Sequence, residues 1–173
     1  RLELPKDISP EELAEKLKGC QIIVASITPH YTERFFQLNK DVVLIARHGT
    51  GIDNIDIKAA TQNGVIITRV PGKELREAVA EHAIALILTA IRKICKANET
   101  VREGKWKERG KYVGTELREK VIGIIGLGNI GSRVAEILVN GFRSKVIAYD
   151  PYINEAYAEK LGVQVVNFDE LLE

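Results

Sequence analysis

VIGIIGLGNIGSRVAEILVNGFRSKVIAYD, residues 121–150, is the stretch of sequence that decides the fold. An apolar run leads into a glycine-rich turn, an amphipathic segment and a second apolar run that ends on an acid. The turn has the pattern G-x-G-x-x-G, and Asp150 follows it at about the spacing of the dinucleotide fingerprint. The pattern predicts a strand over 121–125, a helix from about Asn129 and a strand over 145–149. Such a unit is typical of nucleotide cofactor binding.

The three glycines of this motif have separate expected roles. Gly126 allows a tight turn, Gly128 lets the backbone approach a diphosphate, and Gly131 lets the helix pack closely on its own strand. The free N–H groups of the first helical turn favour a negative charge there. Asp150 is placed to accept hydrogen bonds from an adenosine ribose and to repel a 2′-phosphate, so the pattern favours NAD over NADP.

The composition is that of a soluble globular protein. Hydrophobic residues make up 45% of the chain and charged residues 28%, and the net charge is +1, which argues against a nucleic-acid partner. The apolar stretch at 83–91 is too short to cross a bilayer, so no membrane partner is predicted. Cys20 and Cys95 are expected to be reduced core residues of a cytoplasmic protein, and no metal site is predicted.

Strand and helix signals alternate before the glycine motif. Strands are predicted over 21–25, 42–46 and 65–68, and helices after Ser9 and over 32–38 and 55–62. Near-continuous apolar strands in this order predict a parallel sheet covered on both faces. The predicted fold class is therefore α/β, with a flavodoxin-like parallel-sheet substrate domain followed by the first half of a Rossmann dinucleotide-binding domain.

One long helix is predicted over 74–100, between these two parts. Its middle, residues 78–91, is apolar nearly all round, which is typical of a helix buried between layers. Glu81 and His82 interrupt it and are interpreted mainly as paired polar groups, with a functional role as the alternative. We place a substrate-binding (catalytic) domain that lacks its N-terminal start at 1–95, and the first half of an NAD-binding domain at 96–173. A helix at 155–161, a strand at 163–166 and a helix from 168 complete the latter.

The segment RHGTGIDN, residues 47–54, follows the carboxyl end of a predicted strand, where open parallel sheets bind ligands. Two glycines flanking a threonine expose N–H groups suited to a small carboxylate or phosphate, and the arginine adds charge-assisted bonds. The alternative is a tight turn in which Asp53 or Asn54 caps the next helix, and the segment alone favours neither. The candidate substrate-binding residues are Arg47, Gly49, Thr50 and Gly51.

These motifs, taken together and in order, resemble the D-isomer-specific 2-hydroxyacid dehydrogenases. The resemblance depends on RHGTGIDNID (47–56), VAEH (79–82), GKW (104–106), GTEL (114–117), GIIGLGNIG (123–131) and YDPY (149–152). Within the family, the loop at 47–54 is similar to that of the 3-phosphoglycerate dehydrogenases. Glyoxylate and other 2-keto acid reductases are the alternatives, and a non-enzymatic NAD-sensing protein like the family's corepressor relatives is a second class.

The resemblance implies NAD as cofactor and hydride transfer between a D-2-hydroxy acid and its 2-keto acid, with 3-phosphoglycerate favoured and serine biosynthesis as the role. It also implies a homodimer. The implied diphosphate contacts are Gly126, Gly128, Asn129, Ile130 and Gly131, with Asp150 on the ribose and Pro151 and Tyr152 beside the adenine. The N–H groups of Thr50 and Gly51 would hold the substrate carboxylate.

Two features depart from the family pattern. Leu75 and Arg76 stand where the family often has Asn-Thr or Asn-Ser. The family's catalytic arginine, glutamate and histidine are implied to lie downstream of residue 173, so no catalytic residue is predicted in this chain. The chain contains no methionine and begins at Arg1, which we interpret as a cut from a longer protein. The 173 residues alone are therefore expected to be inactive.

Overall fold

The computed structural model describes residues 2–173. It divides into two compact units, one ending at Glu74 and the other spanning Leu75–Glu173. The helical segment that the sequence placed between the domains therefore belongs to the second unit. The domain boundary after residue 95 stays a prediction, since compactness does not test which residues serve the substrate and which the cofactor.

The first unit is a parallel sheet with the strand order β1-β2-β3. Each of its helices is preceded by an N-cap residue whose side chain accepts a hydrogen bond from a backbone N–H of the first turn. These residues are Ser9, Thr32 and Asp56. The predicted strands and helices are confirmed to within about two residues. The elements are α1 (Pro10–Lys16), β1 (Ile22–Ala25), α2 (Glu33–Leu38), β2 (Leu44–Arg47), α3 (Ile57–Gln62) and β3 (Ile66–Arg69).

The core of the first unit lies on one face of this sheet. Phe35 and Phe36 on α2 and Ile45 on β2 are fully buried there. Ile22 and Val24, whose side chains point to the other face, are 62% and 75% exposed. Because the strands follow one another across the sheet and parallel crossovers are right-handed, the two connecting helices lie on the same side. The expectation that both faces are covered is therefore wrong for the described residues.

The second unit contains a parallel sheet with the order β4-β5-β6. Its elements are α4 (Arg76–Ile91), α5 (Ile94–Arg102), a 3₁₀ helix (Trp106–Tyr112), β4 (Val121–Ile125), α6 (Asn129–Phe142), β5 (Lys145–Tyr149), α7 (Glu155–Lys160), β6 (Val163–Val165) and α8 (Phe168–Leu172). The two strands that flank the glycine motif have the predicted bounds. Two parallel sheets with flanking helices confirm the predicted α/β fold class.

The single helix predicted over 74–100 is wrong. The helix ends at Ile91, and a new helix begins at Ile94 after Lys93, whose φ is 54°. The N–H of Thr115 donates to the carbonyl of Ile91 at 3.1 Å, so a distant segment occupies an acceptor that a continuous helix would use itself. The break therefore coincides with a tertiary contact.

The predicted burial of α4 on all sides is also wrong within the described residues. Ala80 and Ile84 are buried where α4 packs on α6, but Leu86 is 56% exposed. Glu81 and His82 lie on exposed positions of the same helix. An apolar composition shows that a surface is suited to burial, and it does not show what covers that surface.

The predicted core positions of Cys20 and Cys95 are wrong, because both residues are exposed. Cys20 lies in the turn between α1 and β1, and Cys95 lies in the first turn of α5. In residues 2–173 no group of three His, Cys, Asp or Glu side chains is arranged to hold a metal ion. No helix in that same range combines the length and apolar character needed to span a bilayer.

Candidate functional site

The glycine-rich turn begins where β4 ends. Gly126 has a φ of +88°, a conformation that side-chain-bearing residues rarely adopt, and its N–H donates to the carbonyl of Tyr149 on β5 at 2.8 Å. The chain therefore turns sharply at the carboxyl edge of the sheet. This edge is where ligands bind in open parallel sheets.

Gly131 is required by packing. A Cβ at this position would overlap the carbonyl oxygen of Gly126, so the first turn of α6 lies directly on the end of its own strand. Ser132 strengthens this contact, because its hydroxyl lies 2.7 Å from the carbonyl oxygens of both Leu127 and Gly128. The sequence predicted the role of Gly131 but not that of Ser132, although a small polar residue directly after the last glycine is a visible signal.

Gly128 differs from the other two glycines. Its φ is −70°, which any residue can adopt, and an added Cβ would meet no atom within 4 Å. Neither conformation nor internal packing therefore demands glycine here. The N–H groups of Asn129, Ile130 and Gly131 begin α6 and have no acceptor within the helix. These backbone donors are free, and a side chain at Gly128 would obstruct only a ligand. The arrangement therefore fits a dinucleotide diphosphate.

Asp150 stands beside this turn. One carboxylate oxygen accepts from the N–H of Leu127 at 2.9 Å and the other from the N–H of Tyr152 at 2.9 Å. A carboxylate has about four acceptor positions, so capacity remains for two ribose hydroxyls. Pro151 and Tyr152 follow on the surface, and Tyr152 is 94% exposed. The residues predicted to contact the cofactor thus lie together at one edge of the second sheet.

Arg133 is the one arginine of α6, and it is already paired. Its Nε donates to Glu77 on α4 at 2.7 Å, and its Nη1 lies 2.9 Å from Glu136. The hydrogen bond from Arg133 lowers the pKa of Glu77 below its ordinary value. Arg133 therefore joins α4 to α6 through partly exposed ion pairs.

The segment 47–54 forms a loop at the carboxyl edge of the first sheet. Gly49 has a φ of +150°, and a Cβ there would lie 2.5 Å from Nη1 of Arg47, so the guanidinium rests against the glycine backbone. Arg47 donates to the carbonyl of His48. The N–H of Val70, beyond β3, donates to the carbonyl of Gly49 at 3.1 Å and holds the loop to the neighbouring strand.

Thr50 and Gly51 present backbone donors. Within residues 2–173 their N–H groups have no hydrogen-bond acceptor, and the buried hydroxyl of Thr50 has no partner either. The nearest atom to a Cβ built on Gly51 is Oδ2 of Asp53 at 3.2 Å, the end of a flexible side chain. Backbone donors in such an arrangement suit a small anion.

The helix-capping alternative for this loop is not observed. Asp56 caps α3, since its carboxylate accepts from the N–H of Ala59 at 2.9 Å. Asn54 is buried instead and donates to the carbonyls of Ser26 and Pro29 at 3.1 and 3.0 Å. Asn54 thus joins the loop to the segment after β1. This role was not visible in the sequence, because it links positions far apart in the chain.

Residues 84–173 match the family model described as "D-isomer specific 2-hydroxyacid dehydrogenase, NAD binding domain". D-3-phosphoglycerate dehydrogenase from Archaeoglobus fulgidus is 43% identical to this chain over 171 residues, which cover 99% of the chain and 32% of that protein. Glyoxylate reductase from Korarchaeum cryptofilum is 34% identical over 178 residues, covering 99% of the chain and 53% of that protein.

A solved structure shows the same fold. D-lactate dehydrogenase from Aquifex aeolicus, complexed with NAD and lactic acid, superposes with a TM-score of 0.82 at 30% identity, covering 92% of this chain and 47% of that one. The chain spans about a third of the length of the Archaeoglobus relative and about half of the length of the other two.

Proposed function

This chain belongs to the D-isomer specific 2-hydroxyacid dehydrogenase family, and we propose that the protein is an NAD-dependent oxidoreductase that interconverts a D-2-hydroxy acid and its 2-keto acid. The proposed substrate is 3-phosphoglycerate, with serine biosynthesis as the role. The observation that carries this choice is the 43% identity to a D-3-phosphoglycerate dehydrogenase over 99% of the chain.

The second unit carries the family's NAD-binding domain. In our proposal the N–H groups of Asn129, Ile130 and Gly131 hold the diphosphate, and Gly128 allows its close approach. Asp150 accepts from the adenosine ribose, and Pro151 and Tyr152 border the adenine. Bound NAD supplies a hydride acceptor, and its reduced form supplies a hydride donor. The residues of this chain orient the cofactor through backbone donors that are held fixed by the contact between Gly126 and Gly131.

The first unit is proposed to orient the substrate. The free N–H groups of Thr50 and Gly51 would donate to the carboxylate of the 2-hydroxy acid, and Arg47, whose guanidinium rests on Gly49, would add positive charge beside it. A carboxylate held by two oriented donors fixes the position of the neighbouring C2, where the hydride is exchanged. Exchange of the proton on the substrate oxygen is assigned to a histidine–glutamate pair outside these 173 residues. This assignment comes from the family resemblance.

A glyoxylate reductase is the second candidate. It is supported by the 34% identity to the Korarchaeum protein, of which this chain covers 53%. The substrates of the two candidate enzymes differ beyond C2. Glyoxylate has no further carbon, whereas the 2-keto acid of 3-phosphoglycerate carries a phosphate on C3. A homodimer in the cytoplasm is part of the proposal, and it is inferred from the family resemblance alone.

The direct test is a screen of the full-length protein with NADH and a series of 2-keto acids. We expect reduction of 3-phosphonooxypyruvate with the highest kcat/KM, above glyoxylate and 3-hydroxypyruvate. Highest efficiency on glyoxylate would favour the second candidate. Binding of NADH with no reduction of any 2-keto acid would contradict the dehydrogenase function and favour an NAD-sensing role.

Residues 1–173 alone are expected to catalyse no hydride transfer, because the acid–base pair is assigned to other residues. The measurement is NADH formation by the purified, sequence-verified chain in the presence of NAD and D-3-phosphoglycerate. Steady NADH formation would place the catalytic groups within these residues and overturn their assignment elsewhere.

Replacing Asp150 by asparagine is expected to shift cofactor choice toward NADP. Asparagine keeps an acceptor for the N–H of Leu127 but removes the charge that opposes a 2′-phosphate. The ratio of the NADP to the NAD dissociation constant should fall by roughly tenfold or more, since about 1.4 kcal/mol corresponds to tenfold. Binding titrations of the full-length protein measure this ratio.

Glu155→Gln is the matched control, because it removes one negative charge from α7, the helix that follows Asp150 in the chain. An unchanged NADP to NAD ratio in Asp150→Asn would remove the role assigned to this acid. An equal shift in Glu155→Gln would show that general charge, and not contact with the ribose, sets the preference.

A further inference from the structure

Arg47 carries a buried charge without a carboxylate partner. The residue is 9% exposed, and its Nε is buried with no hydrogen-bond partner in residues 2–173. Its guanidinium donates only to the carbonyl of His48 among the described residues, and it forms no ion pair within them. Burying an arginine in this way is costly unless an anion compensates it. The arrangement therefore indicates an anionic ligand.

Arg69 lies beside Arg47 on the neighbouring strand. The two residues are direct partners in the parallel register of β2 and β3, so both come at the carboxyl edge of the sheet. Nη1 of Arg69 donates to the carbonyl of Thr50 at 3.1 Å, which brings a second guanidinium to the loop. Arg69 also forms no ion pair in the part of the chain that the structure describes.

The two arginines provide more positive charge and more hydrogen-bond donors than one substrate carboxylate needs. The N–H groups of Thr50 and Gly51 already provide two donors for such a group. Two guanidiniums on adjacent strands repel one another unless negative charge lies between or beside them. Each guanidinium also retains donors in a planar fork that matches the oxygens of a phosphate or a carboxylate.

We propose that Arg69, together with Arg47, binds a second anionic group of the substrate, distal to the carboxylate held by Thr50 and Gly51, and that Arg69 determines specificity for it. The ligand class is a 2-hydroxy or 2-keto acid with a phosphate or carboxylate at its far end. This inference rests on the proposed function for its substrate. It assigns a role to Arg69, which the sequence analysis did not select, although the position directly after the predicted strand 65–68 was a signal.

A different role for Arg69 is to hold the loop through its bond to the Thr50 carbonyl. These two roles predict different kinetics. Loss of the loop contact would impair every 2-keto acid, since all carry the carboxylate. Loss of the distal contact would impair the substrates with a second anion more than those without one.

The experiment compares Arg69→Gln with the wild-type full-length protein on three 2-keto acids: 3-phosphonooxypyruvate, oxaloacetate and the neutral-ended 3-hydroxypyruvate. We expect kcat/KM for the phosphate substrate to fall by about 10- to 100-fold more than that for 3-hydroxypyruvate, the range given by one charged hydrogen bond. The change should appear mainly in KM, and Arg69→Lys should recover part of it. A greater relative loss for oxaloacetate than for the phosphate substrate would identify the distal group as a carboxylate.

Lys18→Gln is the matched control. Lys18 lies between α1 and β1, at the amino edge of the same sheet, and forms only an exposed ion pair with Glu15. The substitution removes one positive charge from the first unit and should leave the ratios of kcat/KM among the three substrates unchanged. Equal losses on all three substrates in Arg69→Gln would overturn the distal-anion role, and equal shifts in Lys18→Gln would attribute the effect to net charge.

A second readout does not depend on turnover. Inorganic phosphate should raise the thermal unfolding temperature of the wild-type protein above that measured in sodium chloride of the same ionic strength, and Arg69→Gln should lose most of this increase. If no 2-keto acid is reduced but phosphate protection depends on Arg69, the proposed function fails and the anion site stands. If protection is the same in both proteins, the anion site is contradicted whatever the enzyme reduces.

Discussion

Replacing Gly131 by alanine is expected to destabilise the second unit by about 3 kcal/mol, the upper part of the usual range for an added group in a tightly packed site. The new Cβ would overlap the carbonyl oxygen of Gly126, which is backbone and cannot rotate away. Either α6 or the end of β4 has to move. Urea unfolding followed by the fluorescence of Trp106, the single tryptophan and a residue of the second unit, measures the change.

Gly128→Ala is the matched comparison, with the same added group three residues earlier. Its φ of −70° suits alanine, and the Cβ would meet no atom within 4 Å. Alanine is a poorer helix cap than glycine, so we expect a loss of stability below about 1 kcal/mol. NAD affinity should nevertheless fall by about tenfold or more, because the Cβ would stand in the proposed path of the diphosphate.

The two variants distinguish an effect on packing from an effect on cofactor binding. Gly131→Ala should show a large loss of stability, and Gly128→Ala a large loss of NAD affinity with little loss of stability. A Gly128→Ala protein that is stable and binds NAD normally would contradict the diphosphate site. A Gly131→Ala protein of normal stability would contradict the close contact between α6 and β4.

The sequence predicted the β4–α6–β5 unit almost to the residue. Local signals are strong there, because two apolar strands flank a turn with three glycines at a fixed spacing and an acid follows at the expected distance. The break between α4 and α5 was not predictable in the same way. Residues 91–94 contain neither glycine nor proline, and the interruption lies where the N–H of Thr115 reaches the carbonyl of Ile91 from a distant segment.

The candidate sites were predictable to different degrees. Arg47 and the glycines of its loop were identified because their residue types and their place after a strand are visible in the sequence. The roles of Arg69 and Asn54 depend on contacts between segments. Arg69 reaches Thr50 because β2 and β3 pair in one particular register, and Asn54 reaches Ser26 and Pro29 across the sheet edge. A sequence alone does not specify such contacts.

Gly51→Val is expected to reduce the kcat/KM of the full-length protein by about 10- to 100-fold, which corresponds to the roughly 1.5–3 kcal/mol of a charged hydrogen bond to the substrate carboxylate. The valine side chain would stand beside the free N–H groups of Thr50 and Gly51. NAD affinity should change little, because the proposed diphosphate contacts belong to the other unit. Steady-state kinetics and an NAD titration on the same preparation provide both quantities.

Gly49→Ala gives the contrast within the same loop. Gly49 has a φ of +150°, and a Cβ there would displace the guanidinium of Arg47, so this variant should lose both stability and activity. Gly51 is not in the left-handed region, and the atom nearest its added Cβ is the flexible end of Asp53 at 3.2 Å, so Gly51→Val should keep most of its stability. A large fall in the melting temperature of Gly51→Val, with normal substrate affinity in the folded fraction, would show that Gly51 serves the turn and not the anion.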